Sequence, residues 1–117
     1  MLPKEYRLQK EADFNNVFRH GIGASDASMS LRIVKNDLAV TRFGFVVSNK
    51  TAGSAAGRNL IKRRMRAAAQ KVLQDVRPGY DAVIIAQPAT RGKKFAEIFE
   101  IIQKLLTQAG LCGRLKT

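Results

Sequence analysis

The sequence predicts a single α+β domain in which helices pack on a central sheet. Its 117 residues suit one compact domain, and a hydrophobic content of 45% is enough for a buried core. Segments with an apolar residue at every second position, typical of strands, are interleaved with segments of helical periodicity. Neither an internal repeat nor a low-complexity linker divides the chain, so residues 1–117 are predicted to form one domain.

The first half of the chain is predicted to contain a short helix and then two strands. An apolar stripe predicts a helix over residues 11–20, and glycines directly after it end the helix. Alternating apolar residues predict strands over residues 27–35 and 42–48, separated by an Asn-Asp turn. The long interval between Gly21 and Arg42 leaves room for one more strand.

The second half is predicted to form a helix, a strand and a last helix. A loop of small residues at 51–57 precedes a helix that runs from residue 58 to about residue 76. A continuous apolar run predicts a central strand over residues 81–87. The last helix is expected over residues 95–109, with Gly110 as its cap.

Positive charge is concentrated in the middle of the chain. The formal net charge is +12, and residues 38–74 contain eight basic residues but no acidic residue. Five of the eight fall within the nine positions 58–66. Charge packed this densely repels itself unless a polyanion neutralises it, so nucleic acid is the predicted partner.

The basic helix is patterned to bury one side and to present another to a partner. A helical wheel centres its apolar stripe on Ile61, Met65 and Val72. One flank carries side chains that suit phosphates and base edges: Asn59, Lys62, Arg63, Arg66 and Gln70. A solvated basic helix is the alternative interpretation. Because the run has no acidic partner one turn away, the pattern favours contact with nucleic acid.

The same residues resemble a known family. The run Arg58-Asn59-x-x-Lys62-Arg63-x-x-Arg66, preceded by Phe45-Val46-Val47-Ser48-x-Lys50, resembles the signature of the protein subunit of bacterial ribonuclease P. Two further segments match in the same order: Arg7-Leu8 with Asp13-Phe14-x-x-Val17-Phe18-x-x-Gly21, and Tyr80-Asp81-x-Val83-Ile84-Ile85-Ala86. The chain departs from the pattern at Leu60, Asn49 and Ala67, where the family usually has an arginine, a lysine and an acidic residue.

This resemblance implies a fold, an activity and partners. The family fold is an α/β sandwich with a central mixed sheet and a left-handed βαβ crossover that contains the basic helix. Family members bind a catalytic RNA, which holds most of the Mg²⁺ and removes the 5′ leader from precursor tRNA. The implied protein is therefore an enzyme only as part of the ribonuclease P holoenzyme, an endoribonuclease of tRNA 5′ maturation. Its implied partners are the catalytic RNA and precursor tRNA, with no small-molecule substrate.

The resemblance also assigns two sets of site residues. By position, the residues that would face the catalytic RNA are Lys50, Arg58, Asn59, Lys62, Arg63 and Arg66. Phe14 and Phe18 would line a cleft for the single-stranded leader, between the first helix and the sheet. Bases in such a cleft stack on aromatic rings in a positive groove, and Arg32 and Arg42 could supply the charge. An aromatic pair at this spacing is also typical of a core, so we expect Phe14 to be buried and Phe18 to be exposed.

The chain alone shows no catalytic centre, so no catalytic or metal-ligating residue is predicted in it. A two-metal nuclease needs clustered carboxylates, whereas the nine acidic residues are scattered. A metal-free nuclease usually needs an acid and a base, but His20 is the only histidine and is expected at a helix end. The single cysteine, Cys112, has no neighbouring base in the sequence.

Three other functions are compatible with the charge. A structural RNA-binding protein of the ribosomal type would have the same size and charge but would lack the ordered motifs. A DNA-binding module is disfavoured because strands flank the basic helix, and a stand-alone nuclease is disfavoured by the missing catalytic groups. The chain shows no signal-peptide pattern and no apolar run long enough to span a bilayer, so we expect a cytoplasmic protein without a membrane partner.

Overall fold

The computed structural model describes residues 2–112, in which three α-helices and four strands follow one another along the chain. The helices are α1 (Glu11–His20), α2 (Ala55–Val72) and α3 (Phe95–Gln108). The strands are β1 (Ile22–Ser25), β2 (Met29–Lys35), β3 (Arg42–Val47) and β4 (Tyr80–Ala86). Short 3-10 turns occupy Lys4–Tyr6, Leu73–Asp75 and Pro88–Thr90.

The four strands form one mixed sheet in the order β1-β2-β4-β3. β2 runs antiparallel to both β1 and β4, whereas β3 is parallel to β4. Because β3 and β4 are parallel neighbours, α2 is the crossover helix between them. The mixed sheet, the central position of β4 and the βαβ unit around the basic helix are confirmed. The left hand of the crossover stays a prediction.

The main core lies on the face of the sheet that α2 and α3 cover. Alternate residues of β2 (Met29, Leu31 and Ile33) are buried there, as the alternation predicts. The predicted stripe of α2 packs into the same cluster: Ile61, Met65, Ala68 and Val72 are all buried. From α3 come Ile98, Ile102, Leu105 and Leu106.

A second, much smaller cluster lies on the opposite face, beneath α1. Its buried members are Leu8, Val17 and Val83. Phe14 and three sheet residues (Val34, Val46 and Ile85) pack around it and remain half-buried. Val17 is the only residue of α1 that is buried, so this helix rests on little apolar contact.

Most predicted boundaries agree with the structure to within three residues, and the differences have local causes. The first helix has the predicted bounds, and Gly110 ends α3 with a φ of 84°. α2 begins three residues before the predicted start because the Ser54 side chain accepts a hydrogen bond from the Gly57 N–H. β2 begins at Met29 because an Asp26 carboxylate oxygen accepts from the amides of Ser28 and Met29, which holds the preceding residues in a turn. β1 occupies the interval where room was left for a further strand.

Candidate nucleic-acid interface

The basic flank of α2 is open to a partner and carries uncompensated charge. We call the six predicted residues on and before this helix the α2 surface: Lys50, Arg58, Asn59, Lys62, Arg63 and Arg66. Lys50, Asn59 and Arg63 are exposed, and the other three are half-buried along their stems. Within residues 2–112, no side chain of α2 forms an ion pair with a carboxylate. The structure therefore brings the six residues together in the loop before α2 and along that helix, with their charge available to an anion.

Arg58 also fixes the loop that leads into α2. Its Nη1 donates to Asn49 Oδ1 at 2.7 Å and to the carbonyl oxygens of Ala52 and Gly53 at 3.1 and 3.3 Å. These acceptors are neutral, so they leave the positive charge of the guanidinium uncompensated. Asn49, at a position where the resembled family usually has lysine, thus serves as the acceptor that orients Arg58.

Two buried hydroxyls anchor the neighbouring loops to the sheet. Thr51 Oγ1 donates to the carbonyl oxygen of Ala86 at 2.9 Å, which ties the loop before α2 to the end of β4. Thr90 Oγ1 donates to the carbonyl oxygen of Ser28 at 2.6 Å. Sequence reasoning missed both roles, since a threonine in a polar loop carries no signal of burial.

The opposite flank of α2 faces α3 and the loop before it. Arg64 Nη1 donates to the carbonyl oxygen of Lys93 at 2.7 Å. The Lys71 ammonium lies 5.4 and 6.0 Å from the ring centroids of Phe99 and Phe95, in cation–π contact. These contacts fix this flank against α3.

The second predicted set, Phe14, Phe18, Arg32 and Arg42, lies at α1 and the face of the sheet beneath it; we call it the α1 groove. Phe18 is exposed to 40%, as expected. Phe14 is half-buried rather than buried, because its ring lies between the small cluster and the solvent. The ring rests on Gly44: a Cβ atom at that position would lie 2.5 Å from Phe14 Cε1.

Three residues of the sheet lie side by side on the face beneath α1. Ser30, Ile85 and Val46 lie in register across β2, β4 and β3, and all three are half-buried. They point to the face that carries α1, since their neighbours Leu31, Ile84 and Val47 belong to the main core. The sequence could not indicate this, because the continuous apolar run of β4 gives no information about which face each residue occupies.

Arg42 is enclosed by carboxylates. Its Nε and Nη2 donate to Asp81 at 2.9 and 2.7 Å, and its Nη1 lies 3.5 Å from the Asp13 carboxylate on α1. Asp81 is almost fully buried and also accepts from Asn36 Nδ2 at 2.8 Å. The hydrogen bond to Asp81 raises the pKa of Arg42 above its ordinary value, with the charges of Asp81 and Asp13 acting in the same direction against burial. The guanidinium therefore stays positively charged, and the neighbouring carboxylates of Asp81 and Asp13 neutralise that charge.

Arg32 is held at the other end of α1. Its Nη2 donates to the carbonyl oxygens of Gly21 and Phe18 at 2.8 and 3.3 Å. A cation at this position satisfies carbonyls that the helix end leaves without an intrahelical donor. Both acceptors are neutral, so they leave the positive charge of Arg32 uncompensated.

The two predicted sets lie on elements that cover opposite faces of the sheet, α2 on one and α1 on the other. Among residues 2–112, no three His, Cys, Asp or Glu side chains come close enough together to hold a metal ion. His20 is the exposed last residue of α1. No helix in this part of the chain is both long and apolar enough to cross a bilayer.

A family model described as Ribonuclease P matches residues 2–110, nearly the whole chain. The chain belongs to the ribonuclease P protein family. The ribonuclease P protein component of Clostridium kluyveri is 35% identical over 91% of this chain and 96% of its own length. That of Picosynechococcus sp. is 32% identical over 92% and 93%. The solved structure of the Staphylococcus aureus RNase P protein superimposes with a TM-score of 0.83 at 25% identity, covering 92% of this chain and 97% of that one.

One departure from the ribonuclease P pattern lies on the exposed side of α2. Leu60 stands where the family usually has arginine, and it is 37% exposed. Arg64 lies one turn further along the same side, where it is tied to Lys93. Leu60 therefore lies on the flank of α2 that carries Arg64, beside the six residues of the α2 surface and not among them.

Proposed function

We propose that this chain is the protein component of a ribonuclease P ribonucleoprotein and that its α2 surface binds the catalytic RNA subunit. The observation that carries the proposal is the open row of cations on α2, which has no carboxylate partner in residues 2–112. Arginine forks and lysine ammonium groups suit phosphates, and Asn59 adds a donor and an acceptor for sugar or base edges. Arg58 and Thr51 hold the loop before α2 still, so that part of the surface is ordered before RNA arrives.

The α1 groove is proposed to bind the single-stranded 5′ leader of precursor tRNA. It is built from Phe14, Phe18, Arg32 and Arg42 over the floor of Ser30, Val46 and Ile85. Phe18 offers an exposed ring on which a base can stack, a contact worth about 1–3 kcal/mol. Leader and RNA subunit are thus assigned to opposite faces of the sheet, which allows both to bind at once.

The cleavage chemistry is proposed to belong to the RNA subunit, in an endonucleolytic reaction that gives the mature 5′ end of tRNA. The described residues bring no metal-ligand cluster together, so they do not fit a resident magnesium site. Mg²⁺ is proposed to be held mainly by the RNA, and this chain contributes binding and orientation. The cytoplasm, where precursor tRNA is made in bacteria, is the proposed compartment.

The test is cleavage of a precursor tRNA at low Mg²⁺ concentration, in three parallel reactions. They contain the protein alone, a bacterial ribonuclease P RNA alone, and the two together. We expect release of the 5′ leader at the mature end only in the mixture. Cleavage by the protein alone would reveal a nuclease site and overturn the assignment of chemistry to the RNA.

Binding without stimulation would also overturn the proposal. If the protein bound RNA tightly but left cleavage by the ribonuclease P RNA unchanged, a structural RNA-binding role of the ribosomal type would take its place. Ribosomal RNA would then be the next ligand to measure.

A further inference from the structure

The α1 helix is fixed to the sheet at both ends by arginines of two different strands. Near its start, Asp13 faces Arg42 of β3, and at its end the Phe18 and Gly21 carbonyls face Arg32 of β2. We propose that Arg42 and Arg32 are positioning residues that set the place of α1 above the sheet, and with it the place of the Phe18 ring in the leader groove. This inference rests on the leader-binding role proposed above and explains how the two arginines contribute to it.

The charges around Arg42 argue against direct contact with a leader phosphate. One guanidinium lies between two carboxylates, Asp13 and Asp81, so the group carries a net charge of about −1. Arg42 itself therefore offers a leader phosphate no uncompensated positive charge. The Arg42 side chain is instead held in a fixed position, because two of its nitrogens donate to the buried Asp81 carboxylate.

The remaining nitrogen of that anchored guanidinium reaches α1. Arg42 Nη1 lies 3.5 Å from Asp13 Oδ2, and Asp13 directly precedes Phe14 in the first turn of the helix. The contact therefore fixes the helix close to the ring that rests on Gly44. The ion pair is partly exposed, with 23% and 30% of the two side chains accessible, so its contribution to overall stability is modest.

At the other end, Arg32 fixes the turn that carries Phe18. Its Nη2 bridges the Phe18 and Gly21 carbonyl oxygens, so one group sets both the last turn of α1 and the entry into β1. Apolar packing alone does not fix this helix, since Val17 is its only buried residue. The polar contacts at the two ends therefore act together with Val17 and the half-buried Phe14 ring to set where Phe18 lies.

The variant Asp13→Asn separates positioning from charge. It removes a negative charge, so a purely electrostatic view predicts tighter binding of every RNA. Glu11→Gln is the matched control, because it makes the same change in the same helical turn at an exposed residue without an ion pair in the described part of the chain. The measurement is the dissociation constant of the reconstituted holoenzyme for precursor and for mature tRNA, with cleavage blocked by a modified bond at the cleavage site.

We expect Asp13→Asn to weaken precursor binding relative to mature tRNA by about two- to fivefold, the range that a partly exposed ion pair commands. Glu11→Gln should leave the ratio unchanged. Circular dichroism of each variant confirms that it is folded. If both variants had the same ratio of dissociation constants for precursor and mature tRNA, the inference would be overturned.

A double variant shows whether Asp13 acts through Phe18. Phe18→Ala alone should reduce the preference for precursor, and Asp13→Asn should add little once the ring is gone. Independent, additive effects would overturn the positioning role of Asp13 while leaving the groove in place. If Phe18→Ala had no effect on the ratio, the leader groove itself would be wrong, which is a failure of the proposed function and not of the positioning alone.

Arg32→Lys makes the corresponding test at the other end. The variant keeps a positive charge but loses the planar guanidinium that bridges two carbonyl oxygens. If Arg32 is a positioning residue, the variant should prefer precursor over mature tRNA less strongly than the parent protein does. The expected loss is again about two- to fivefold, because one such contact is removed. An unchanged ratio would assign Arg32 to direct charge contact and overturn its positioning role.

Discussion

Gly44 lets the Phe14 ring lie against the sheet because it has no side chain. A Cβ atom at this position would lie 2.5 Å from Phe14 Cε1, 2.6 Å from Cζ and 3.3 Å from Leu8 Cβ. Contacts of this length force the ring to move. The shape of the α1 groove therefore depends on a strand residue that contributes no side chain to it.

We expect Gly44→Ala to lower the free energy of unfolding by about 1–3 kcal/mol, since it overpacks the small cluster beneath α1. Urea denaturation followed by circular dichroism measures the loss. Gly53→Ala is the matched control, because a Cβ atom there would meet nothing within 4 Å. Equal stability of the two variants would show that the ring of Phe14 moves at no cost.

Leu60 is an exposed position on α2, beside the α2 surface, at which a positive charge can be added. Leu60→Arg places a further cation on the exposed side of α2, so we expect tighter binding of ribonuclease P RNA and a slope of log affinity against log salt that steepens by about one. Titrations at several salt concentrations measure both quantities. Leu38→Arg is the control, since Leu38 is also exposed but lies between β2 and β3. A similar gain from both variants would indicate a general charge effect instead of an RNA contact at α2.

At the scale of single residues, charge and exposure were easier to predict than partners. The open cations of α2 follow from periodicity and composition, whereas the exposed ring of Phe18 follows from the family resemblance. The enclosure of Arg42 by Asp13 and Asp81 does not, because the three residues lie far apart in the chain and meet only in the folded sheet. Arg32 was predicted on a polar strand face, but no sequence pattern indicates the helix end that it caps.

At the scale of elements, the start of α2 matters because the loop before it carries Lys50. Ser54 is the N-cap, and its Oγ accepts from the Gly57 amide at 3.0 Å. The helix has no acidic residue in its first turn, so this cap has no charged support. The Ser54 hydrogen bond should therefore contribute measurably to the stability of α2.

Ser54→Ala is expected to lower the free energy of unfolding by about 1 kcal/mol, the usual cost of a lost N-cap. The measurement is a shift of the urea midpoint at unchanged slope. Ser48→Ala, at an exposed serine before the same loop, should cost less because its side chain makes no hydrogen bond in the described structure. An equal cost at both positions would contradict the capping role.

Element types were predictable from periodicity, whereas short or featureless elements were not. The stripes of α2 and α3 and the alternation of β2 identify their buried faces, as found. β1 has four residues, of which Ile22 is 75% exposed and Gly23 has no side chain, so it shows no alternation. β1 pairs with β2 through backbone hydrogen bonds, which side-chain patterns in the sequence do not indicate.

At the scale of the whole molecule, a net charge of +12 makes anions part of the stability. Self-repulsion along α2 destabilises the folded chain, and an anion bound there relieves it. We expect the melting temperature to rise from sodium chloride to sodium sulfate at equal ionic strength, by roughly 3–6 °C per kcal/mol of anion binding. Differential scanning calorimetry measures the shift.

Because sulfate also strengthens apolar burial in general, a charge-reduced variant is needed beside the parent chain. Lys62→Gln/Arg63→Gln should show a smaller rise, while Lys35→Gln/Arg77→Gln, which lacks two exposed cations outside the α2 surface, should respond more like the parent. The same rise in all three proteins would mean that no anion site exists on α2.

The apolar clusters on the two faces of the sheet differ in size, so we expect the molecule to open in two stages on warming. α2 and α3 share the large core, whereas α1 rests on three buried residues and on polar contacts at its ends. Such a helix opens as a separate unit at a lower free energy than the rest, and its amide protons should exchange with solvent faster than those of β4. If α1 binds the leader as proposed, warming would abolish the distinction between precursor and mature tRNA before it separated the protein from the RNA subunit, so processing would lose accuracy first.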